Sequence, residues 1–288
     1  MKRFVAKDSD QNKRLDIFAA EQFSGLSRSS IGKLCEQGKV SVNGNTKKSK
    51  YTVKQNDIVT VDYDIDSLKD VPVIDIPIIY EDDDCLVINK PLGVLTHSKG
   101  AFNPEATVAT FIETKLGNNY KGERAGIVHR LDRATSGVMI CAKTPKAMSW
   151  LQKQFSTRNV KKSYLAVVNG KLDPPEAKID MPIERNPKKP QTFRVGSNGK
   201  TAQTIYKTLS SNDKYSLVML TPQTGRTHQL RVHLKHLGHP IIGDSFYDGE
   251  PSDRLYLHAS SLEITLPNKQ RKVFNVAEPP EFKILISG

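Results

Sequence analysis

Hydrophobic residues recur at helical spacing in the first part of the chain. In KRLDIFAAEQF, residues 13–23, the apolar side chains fall on one face of a predicted helix. A second helix is predicted directly after it, because Ser27 can cap its start and Gly38 can end it. VSVNG then alternates like a strand that ends in an Asn-Gly turn, and residues 58–63, IVTVDY, alternate in the same way. We therefore predict a small α/β unit over residues 1–65.

The pattern changes after residues 66–77, a charged, proline-containing stretch that we predict to be a linker. Two helices are predicted beyond it, TPKAMSWLQKQF with Thr144 as its cap and THQLRVHLKHLG with Gly238 as its terminator. Short apolar and aromatic runs predict strands at DCLVI, GVMICAK, SYLAVV, TIYKTL, YSLVML and LEITL. Because these strands outnumber the helices and do not alternate regularly with them, we predict an α+β fold with a mixed, mostly antiparallel sheet over residues 78–288.

The composition predicts a class of binding partner. The chain has 288 residues, of which 37% are hydrophobic, enough for a globular core. Lys and Arg number 43 against 31 Asp and Glu, which gives a net charge of +12. A basic excess of this size favours a polyanionic partner, with nucleic acid as the first candidate. A generic basic surface is the alternative that charge alone leaves open.

Cysteine usage and hydropathy bear on the cellular compartment. Cys35, Cys85 and Cys141 are far apart in apolar runs, which argues against a disulfide framework and favours a reducing compartment. The N-terminal residues have no apolar stretch behind them, and no run approaches the roughly 18 apolar residues that a membrane span requires. We therefore expect a cytoplasmic protein without membrane association, and a monomer by default.

Several common catalytic motifs are absent from the sequence. It has no GxxxxGK[ST] phosphate loop, no GxGxxG, no GxSxG and no paired CxxC, so nothing supports nucleotide hydrolysis, dinucleotide redox chemistry or serine hydrolysis. Four histidines lie close together in residues 228–239, but no carboxylate lies among them and two basic residues do. We predict no metal site.

A single carboxylate among basic residues is the strongest candidate for chemistry. In GIVHRLDRATSGVMI, residues 126–140, two apolar strand-like runs flank Asp132, which lies between Arg130 and Arg133. Aspartate is ordinarily ionised at neutral pH and nearby guanidinium groups favour that form, so Asp132 can serve as a nucleophile. An Asp–Arg ion pair that ties a surface loop explains the same residues. The residues alone leave both interpretations open.

The N-terminal pattern resembles the S4 RNA-binding domain. The resemblance rests on SRSSIGKLCEQGKVSVNG and covers about residues 13–62, with a capped basic helix followed by a strand and a VNG turn. It implies a face that contacts phosphates without reading base sequence. The residues expected on that face are Arg28, Lys33, Lys47, Lys48 and Lys50.

The remainder of the chain resembles the RluA family of pseudouridine synthases. HRLDRATSG, residues 129–137, is similar to the catalytic motif of that family. Four further motifs occur in the family order between about residues 80 and 286: INKPLGVLTH, KKSYLAVVNG, TPQTGRTHQLRVHLKHLGHPIIGD and LYLHASSLEI. The resemblance implies isomerisation of uridine to pseudouridine in RNA, with a base flipped out of its stack and no metal or other cofactor.

The same resemblance assigns roles to individual residues. It implies that Asp132 is the catalytic carboxylate, that Tyr164 stacks on the target uracil and is a candidate for proton transfer, and that Arg226 pairs with Asp132. Arg130 is expected to fill the space left by the extruded base. We also place His228 and Arg231 among the residues that contact RNA. From local sequence alone, Tyr164 is more typical of a buried strand tyrosine, because Ala166 and Val168 share its face.

Other functions fit parts of the sequence. An S4 unit joined to this domain is typical of synthases that modify 23S ribosomal RNA, and tRNA is the second candidate substrate. A non-catalytic RNA-binding factor in ribosome assembly would also carry an S4 unit. A ribonuclease that uses His228 or His233 as acid and base is the remaining alternative, and it would cleave the strand.

Overall fold

The computed structural model describes residues 1–23, 26–63, 72, 74–97, 105–116 and 126–287. Internal contacts divide the described residues into two compact units, the first made of those up to Ile74 with residues 105–106, and the second of residues 75–97 and those from Thr107 onward. Each unit is considered separately below. Of the linker predicted at 66–77, only residues 72 and 74–77 lie within the described part of the chain.

The first unit packs two helices against a small antiparallel sheet. The helices are α1 (Leu15–Gln22) and α2 (Arg28–Glu36), and the strands are β1 (Lys2–Val5), β2 (Val40–Val42), β3 (Asn45–Thr46) and β4 (Ile58–Val61). The strand order is β1-β4-β2-β3. Apolar side chains of both helices and of the sheet form one buried core, as the sequence pattern predicts.

Local capping chemistry explains where the elements of this unit begin and end. The hydroxyl of Ser27 accepts a hydrogen bond from the backbone N–H of Ser30 at 3.2 Å, which satisfies an otherwise free donor at the start of α2. Asn43 and Gly44 both have positive φ, at 50° and 81°, as a tight hairpin turn between β2 and β3 requires. The predicted cap and the predicted Asn-Gly turn are both confirmed.

The second unit is built on a large twisted sheet with helices beside it. Its helices are α3 (Val108–Leu116), α4 (Pro145–Ser156), α5 (Gln229–His236) and α6 (Pro280–Ser287). Its strands are β5 (Ile78–Glu81), β6 (Cys85–Lys90), β7 (Ser136–Ala142), β8 (Lys161–Asn169), β9 (Glu176–Asp180), β10 (Ile183–Arg185), β11 (Phe193–Val195), β12 (Gln203–Ser211), β13 (Tyr215–Pro222), β14 (Leu257–Thr265) and β15 (Arg271–Asn275). The two helices predicted beyond the linker and the six strands predicted from short apolar runs are all present.

Strand pairing confirms the predicted fold class. The order in the large sheet is β5-β6-β7-β14-β8-β13-β12-β9, with β15 paired to β14, while β10 and β11 form a separate hairpin. Among the described strands, only β7 and β14 run parallel. The sheet is therefore mixed and mostly antiparallel, and the fold is α+β.

Gly137 permits the close approach of β7 and β14. It pairs with Ala259, and Ala259 pairs on its other side with Tyr164 of β8. Gly137 has a φ of 118°, and a Cβ atom built on it would lie 2.2 Å from the carbonyl oxygen of Ala259. Only glycine fits this contact, because the obstructing atoms belong to the backbone.

One feature of the predicted topology is wrong. The residues just before the Asp132 loop were expected to form a strand, yet Ile127 makes only an isolated bridge to Cys141. The backbone N–H of Ile140 donates a hydrogen bond to Nε2 of His129 at 3.1 Å. A side chain therefore accepts where the backbone carbonyl of a neighbouring strand would otherwise do so. Gly126, with a φ of 68°, turns the chain at the start of this segment.

Candidate active site

The Asp132 loop runs directly into β7 and is held by Thr96. The hydroxyl of Thr96 donates to the carbonyl of Leu131 at 2.7 Å and accepts from the N–H of the same residue at 3.2 Å. The backbone N–H of Thr135 donates to the carbonyl of Asp132 at 3.0 Å, which tightens the turn after the carboxylate. Both ends of the loop are thereby fixed, and the Asp132 side chain remains 24% exposed.

The buried side chain of Lys90 also holds the Asp132 loop, through the carbonyl of Arg133. Its side chain is fully buried, and its ammonium group donates to the carbonyls of Pro91 at 2.9 Å, Val94 at 2.8 Å and Arg133 at 3.4 Å. Burial lowers the pKa of Lys90 to about 8, with Asp132 acting in the opposite direction. Three carbonyl acceptors use all three N–H donors of an ammonium group, so the charged form is the one that this site accommodates.

His129 packs against the wall of the pocket. Its ring stacks on Phe155 of α4 with centroids 4.5 Å apart, while its Nε2 accepts the hydrogen bond from Ile140. Burial, and secondly the positive charge of Lys162, lowers the pKa of His129 to about 3. The ring is therefore neutral at neutral pH and acts as a fixed acceptor.

Asp132 opens into a cavity of about 500 Å³. The walls come from the Asp132 loop, the C-terminal end of α4, the first half of β8 and the segment between β13 and α5. Lining side chains used below are Arg130, Asp132, Lys162, Tyr164, Arg226, His228 and Arg231. The cavity thus brings together all three predicted catalytic residues, although they are separated by many positions in sequence.

Tyr164 and Lys162 face this cavity from β8, a central strand of the sheet. Burial, and secondly the negative charge of Asp132, raises the pKa of Tyr164, so the phenol stays protonated. Burial lowers the pKa of Lys162, which is a cationic side chain on the same strand face two residues earlier. An aromatic ring and a cation therefore line the cavity near the carboxylate.

Arg231 is the arginine that pairs with Asp132. Its Nη1 lies 3.5 Å from Oδ2 of Asp132. Its Nε and Nη2 form two hydrogen bonds of 2.7 Å with the carboxylate of Asp244, an almost completely buried residue. This bidentate pair fixes the plane of the guanidinium group and raises the pKa of Arg231 despite burial.

Two expectations about these arginines therefore need correction. Arg226 was expected to pair with Asp132, but it lines the cavity with its Nε donating to the carbonyl of Thr201 at 2.9 Å. Arg231 was expected to contact RNA, but it is only 5% exposed and is committed to two carboxylates. The reason is helical direction: Arg231 lies on the buried face of α5, whereas Arg226 precedes the helix.

The loop that carries Arg226 is held by Gln229. The buried amide oxygen of Gln229 accepts from the hydroxyl of Thr224 at 2.7 Å and from the N–H of Arg226 at 3.0 Å. Its amide nitrogen donates to the carbonyl of Gln203 at 2.9 Å and to the hydroxyl of Thr204 at 3.0 Å. Gln229 uses its full hydrogen-bonding capacity to fix this wall of the cavity.

The remaining residues expected to contact RNA occupy different settings. Arg130 is exposed and lines the cavity. In the first unit Lys33, Lys48 and Lys50 are exposed, Lys47 lies over the ring of Tyr51, and Arg28 pairs with Asp16 at 3.0 Å. His228 is 13% exposed and lies 3.7 Å from Asp132, inside the cavity instead of on an outer surface.

The clustered histidines of residues 228–239 do not converge on one point. His233 is bonded to Thr204 and to the carbonyl of Met181, and His239 to the carbonyl of Asn169. Within the described ranges, no three His, Cys, Asp or Glu side chains are placed to hold a metal ion. In the same ranges no helix has the length and apolar character needed to cross a membrane.

Sequence reasoning missed several residues that shape the site. Asp244 and Lys90 lie inside motifs quoted above, but their partners could not be deduced from spacing. Thr96 also lies inside a quoted motif, INKPLGVLTH, whereas Tyr247 carried no distinct signal, because single hydroxyl residues after loops are common. Helical spacing offered one clue, since positions 228 and 231 are three apart in the helix predicted from the sequence.

Comparisons with known proteins give the relatives of this chain. Residues 84–236 match the family described as RNA pseudouridylate synthase, and residues 13–59 match the S4 domain. The chain is 37% identical to the ribosomal large subunit pseudouridine synthase D of Borreliella burgdorferi, over 96% of this chain and 89% of the relative. It is 34% identical to the protein of the same name from Xanthomonas campestris pv. campestris, over 98% and 90%. The solved structure of human RNA Pseudouridylate Synthase Domain Containing 1 is similar with a TM-score of 0.61 and 29% identity, over 72% of this chain and 86% of that one.

Proposed function

The chain belongs to the RNA pseudouridylate synthase family, and we propose that it isomerises specific uridines of large-subunit ribosomal RNA with Asp132 as the reacting carboxylate. Family membership makes the protein an RNA pseudouridine synthase with an S4 RNA-binding domain. The observation that carries the assignment of Asp132 is its setting: a carboxylate on a fixed loop, beside a buried arginine, opening into a cavity of about 500 Å³. That setting is typical of a reactive group and goes beyond a surface ion pair.

The reaction defines what the site must supply. The bond from C1′ to N1 breaks, the uracil turns, and C1′ joins C5; the proton lost from C5 is balanced by one gained at N1. Electron demand arises at C1′ and negative charge on the departing uracil. The carboxylate of Asp132 can stabilise the electron-deficient C1′, and the cations of Arg226 and Lys162 in the cavity wall can stabilise the negative charge on the uracil.

Tyr164 is proposed to hold the uracil while it is detached. Its protonated phenol lies on a rigid central strand, near the negative charge of Asp132. An aromatic face favours a stacked base, and a walled cavity limits loss of the detached uracil to water. These features support a role in both binding and orientation.

The target nucleotide must leave its stack to reach Asp132. Extrusion costs a few kcal/mol, which contacts to the phosphate backbone and filling of the vacated space can offset. Arg130 is exposed two residues from Asp132, so it is proposed to occupy that space. The lysines of the S4 domain are proposed to supply sequence-independent phosphate contacts.

Ribosomal RNA is the proposed substrate because both relatives described above carry that activity in their names and align over nearly the whole of this chain.

We propose that the protein acts in the cytoplasm as a monomer. Cys35, Cys85 and Cys141 are all buried and unpaired, which suits a reducing compartment. Size-exclusion chromatography with light scattering tests the monomer.

The test of the proposal is a substrate and variant experiment. Purified enzyme is incubated with transcripts of large-subunit rRNA and of tRNA, and pseudouridine is mapped by carbodiimide modification and reverse transcription. We expect the wild type to modify rRNA and Asp132→Asn to form no product while binding RNA within a few-fold of wild type. Product from Asp132→Asn overturns the carboxylate assignment.

The same assay separates the alternative functions. Modification of tRNA alone would show that tRNA is the substrate instead of rRNA. RNA binding without any pseudouridine would indicate a ribosome assembly factor. Strand cleavage on a denaturing gel would indicate a nuclease, whereas isomerisation leaves the length and mass of the RNA unchanged.

A further inference from the structure

His228 lies between Asp132 and a buried tyrosine that the family resemblance assigned no role. The Nδ1 atom of His228 is 2.8 Å from the hydroxyl of Tyr247, and its Nε2 atom is 3.7 Å from Oδ2 of Asp132. The phenol of Tyr247 in turn accepts the backbone N–H of Phe193 of β11 at 3.0 Å. Two hydrogen bonds therefore connect the backbone of β11 to His228, and a longer contact of 3.7 Å separates His228 from the carboxylate of Asp132.

The direction of these hydrogen bonds can be worked out from the donors. The Tyr247 oxygen already accepts from Phe193, and Tyr247 is only 5% exposed. Its own proton needs an acceptor, because a buried hydroxyl proton without one is costly. Nδ1 of His228 is the acceptor at hydrogen-bond distance. The imidazole must then carry its proton on Nε2, the nitrogen that faces Asp132.

The protonation states of both groups agree with this direction. Burial raises the pKa of Tyr247 to about 12, so the phenol keeps its proton at neutral pH. Burial lowers the pKa of His228, partly opposed by the negative charge of Asp132, so the imidazole is neutral there. A neutral imidazole carries its single N–H on either nitrogen unless a neighbouring group selects one tautomer. The hydroxyl of Tyr247, by donating to Nδ1, selects the tautomer with the proton on Nε2.

Backbone geometry supports a directed role for the ring. His228 has a φ of 55°, in the left-handed region that non-glycine residues rarely adopt, at the residue before α5. Such a conformation persists where the surroundings hold it and is frequent at functional sites. The ring is also held by edge contacts with Phe193 and Tyr247 at centroid distances of 5.8 and 5.6 Å.

We propose that His228 and Tyr247 are positioning residues for the reaction: Tyr247 fixes the tautomer of His228, and the Nε2–H of His228, together with Arg231, holds Oδ2 of Asp132. Both groups approach the same carboxylate oxygen, His228 at 3.7 Å and Arg231 at 3.5 Å. The other oxygen, Oδ1, is thereby left for the reacting nucleotide. This inference rests on the proposed role of Asp132.

In the protein without RNA, the distances from His228 and Arg231 to Oδ2 of Asp132 are longer than that of a short hydrogen bond. Catalytic hydrogen bonds are often long in the free enzyme and tighten when substrate fills the site. A nucleotide that enters the cavity displaces water from the carboxylate and strengthens its attraction to both donors. We therefore expect the two contacts to shorten in the complex with RNA.

Single-turnover kinetics with saturating enzyme test the proposal, alongside RNA affinity and thermal melts for each variant. His228→Gln keeps an amide N–H near the position of Nε2, whereas His228→Asn is too short to reach Asp132. We expect His228→Asn to slow the chemical step by about 100-fold with RNA affinity within a few-fold, and His228→Gln to recover most of the rate. Tyr247→Phe, which frees the tautomer, should fall between them at about 10-fold.

Three results overturn the inference. They are an unchanged rate in His228→Asn, equal loss in the Gln and Asn variants, or lost RNA affinity at a normal chemical rate, which would make His228 an RNA contact. If His228→Asn melts below the assay temperature, Tyr247→Phe decides, and a wild-type rate in that variant contradicts the proposal. Asp132→Asn is measured in parallel: activity in that variant overturns the proposed function, whereas its inactivity with a normal rate in His228→Asn overturns only this inference.

Discussion

Arg231 donates two hydrogen bonds of 2.7 Å to the carboxylate of Asp244 and directs its remaining nitrogen toward Asp132, at 3.5 Å. The pair is buried, so neither charge is compensated by water. The same guanidinium lies over the rings of Phe246 and Tyr247, 5.4 and 5.0 Å from their centroids. Arg231 therefore holds one orientation, and Asp132 is positioned against it.

Replacing Arg231 should damage catalysis more than replacing Arg226. Arg231→Lys retains a positive charge but cannot form the bidentate pair with Asp244 while also reaching Asp132. We expect the single-turnover rate to fall by about 100-fold, the loss typical of a misplaced reactive group. Arg226→Lys, measured beside it, should lose less than 10-fold, because lysine preserves the charge at the cavity.

The reverse order of these two effects would contradict the pairing of Arg231 with Asp132. A melt of each variant separates a catalytic loss from unfolding. Asp244→Asn provides a second measure, since it leaves the buried guanidinium short of a counter-charge and should lower the free energy of unfolding by about 3 kcal/mol or more.

Tyr164→Phe should slow the reaction without unfolding the protein. The ring and its packing against β13 and β14 are retained, and only the phenolic hydroxyl is lost. We expect a reduced single-turnover rate with RNA affinity within a few-fold of wild type. Tyr215→Phe is a matched control, because that hydroxyl bonds to the side chain of Glu250 and Tyr215 does not line the cavity. Equal rates in the two variants would exclude a role for the Tyr164 hydroxyl.

Lys90→Met should destabilise the protein by way of the Asp132 loop. Methionine is similar in length but leaves the carbonyls of Pro91 and Val94 without the ammonium donor, while the carbonyl of Arg133 keeps the N–H of Gly93. An unsatisfied buried acceptor costs about 1–3 kcal/mol, so chemical denaturation should show a loss of at least 2 kcal/mol. Lys171→Met removes an exposed pair with Asp213 and should change stability by less than 1 kcal/mol. Similar losses in both variants would contradict the proposed role of Lys90.

Acid should destabilise the fold partly through His129. Its pKa in the folded protein is about 3, below the ordinary value of 6.5. As the pH falls from about 6.5 toward 3, the unfolded chain binds a proton that the folded protein does not, so stability decreases across that window. At pH 5 this difference in proton binding lowers the free energy of unfolding by roughly 1–2 kcal/mol.

A variant without the titrating ring isolates this effect. His129→Gln can still accept from Ile140 but cannot be protonated, so its melting temperature should fall less between pH 7.5 and pH 5 than that of the wild type. His236→Gln, at an exposed position of α5, should keep the wild-type pH dependence. An identical pH dependence in all three proteins would show that His129 is not responsible.

Much of the fold follows from local pattern. Ser27 and Thr144 cap helices where their sequence context predicts, since a cap depends only on neighbouring residues. The hairpin of β10 and β11 was not predicted, because its strands have only three residues each and are rich in charge. The parallel contact of β7 with β14 joins segments more than one hundred positions apart, which no local pattern reports.

The site follows the same division. The motifs bring Asp132, Tyr164 and Arg226 into one cavity, as expected. The partner of Asp132 was misjudged, because two arginines lie five positions apart and only three-dimensional placement separates an arginine before the helix from one on its buried face. The contact of Tyr247 with His228 depends on loop closure after α5 and could not be predicted from spacing.

Gly137 sets a spacing inside the site. It pairs with Ala259, and Ala259 pairs with Tyr164, so three residues form one row across β7, β14 and β8. Asp132 lies five positions before Gly137 on the same segment. The backbone pairing of these three residues therefore helps to set the distance between the Asp132 carboxylate and the Tyr164 phenol. A methyl group at position 137 would meet main chain, which cannot rotate aside as the tip of a side chain does. The distance between the carboxylate and the phenol therefore depends on a residue that has no side chain and does not line the cavity.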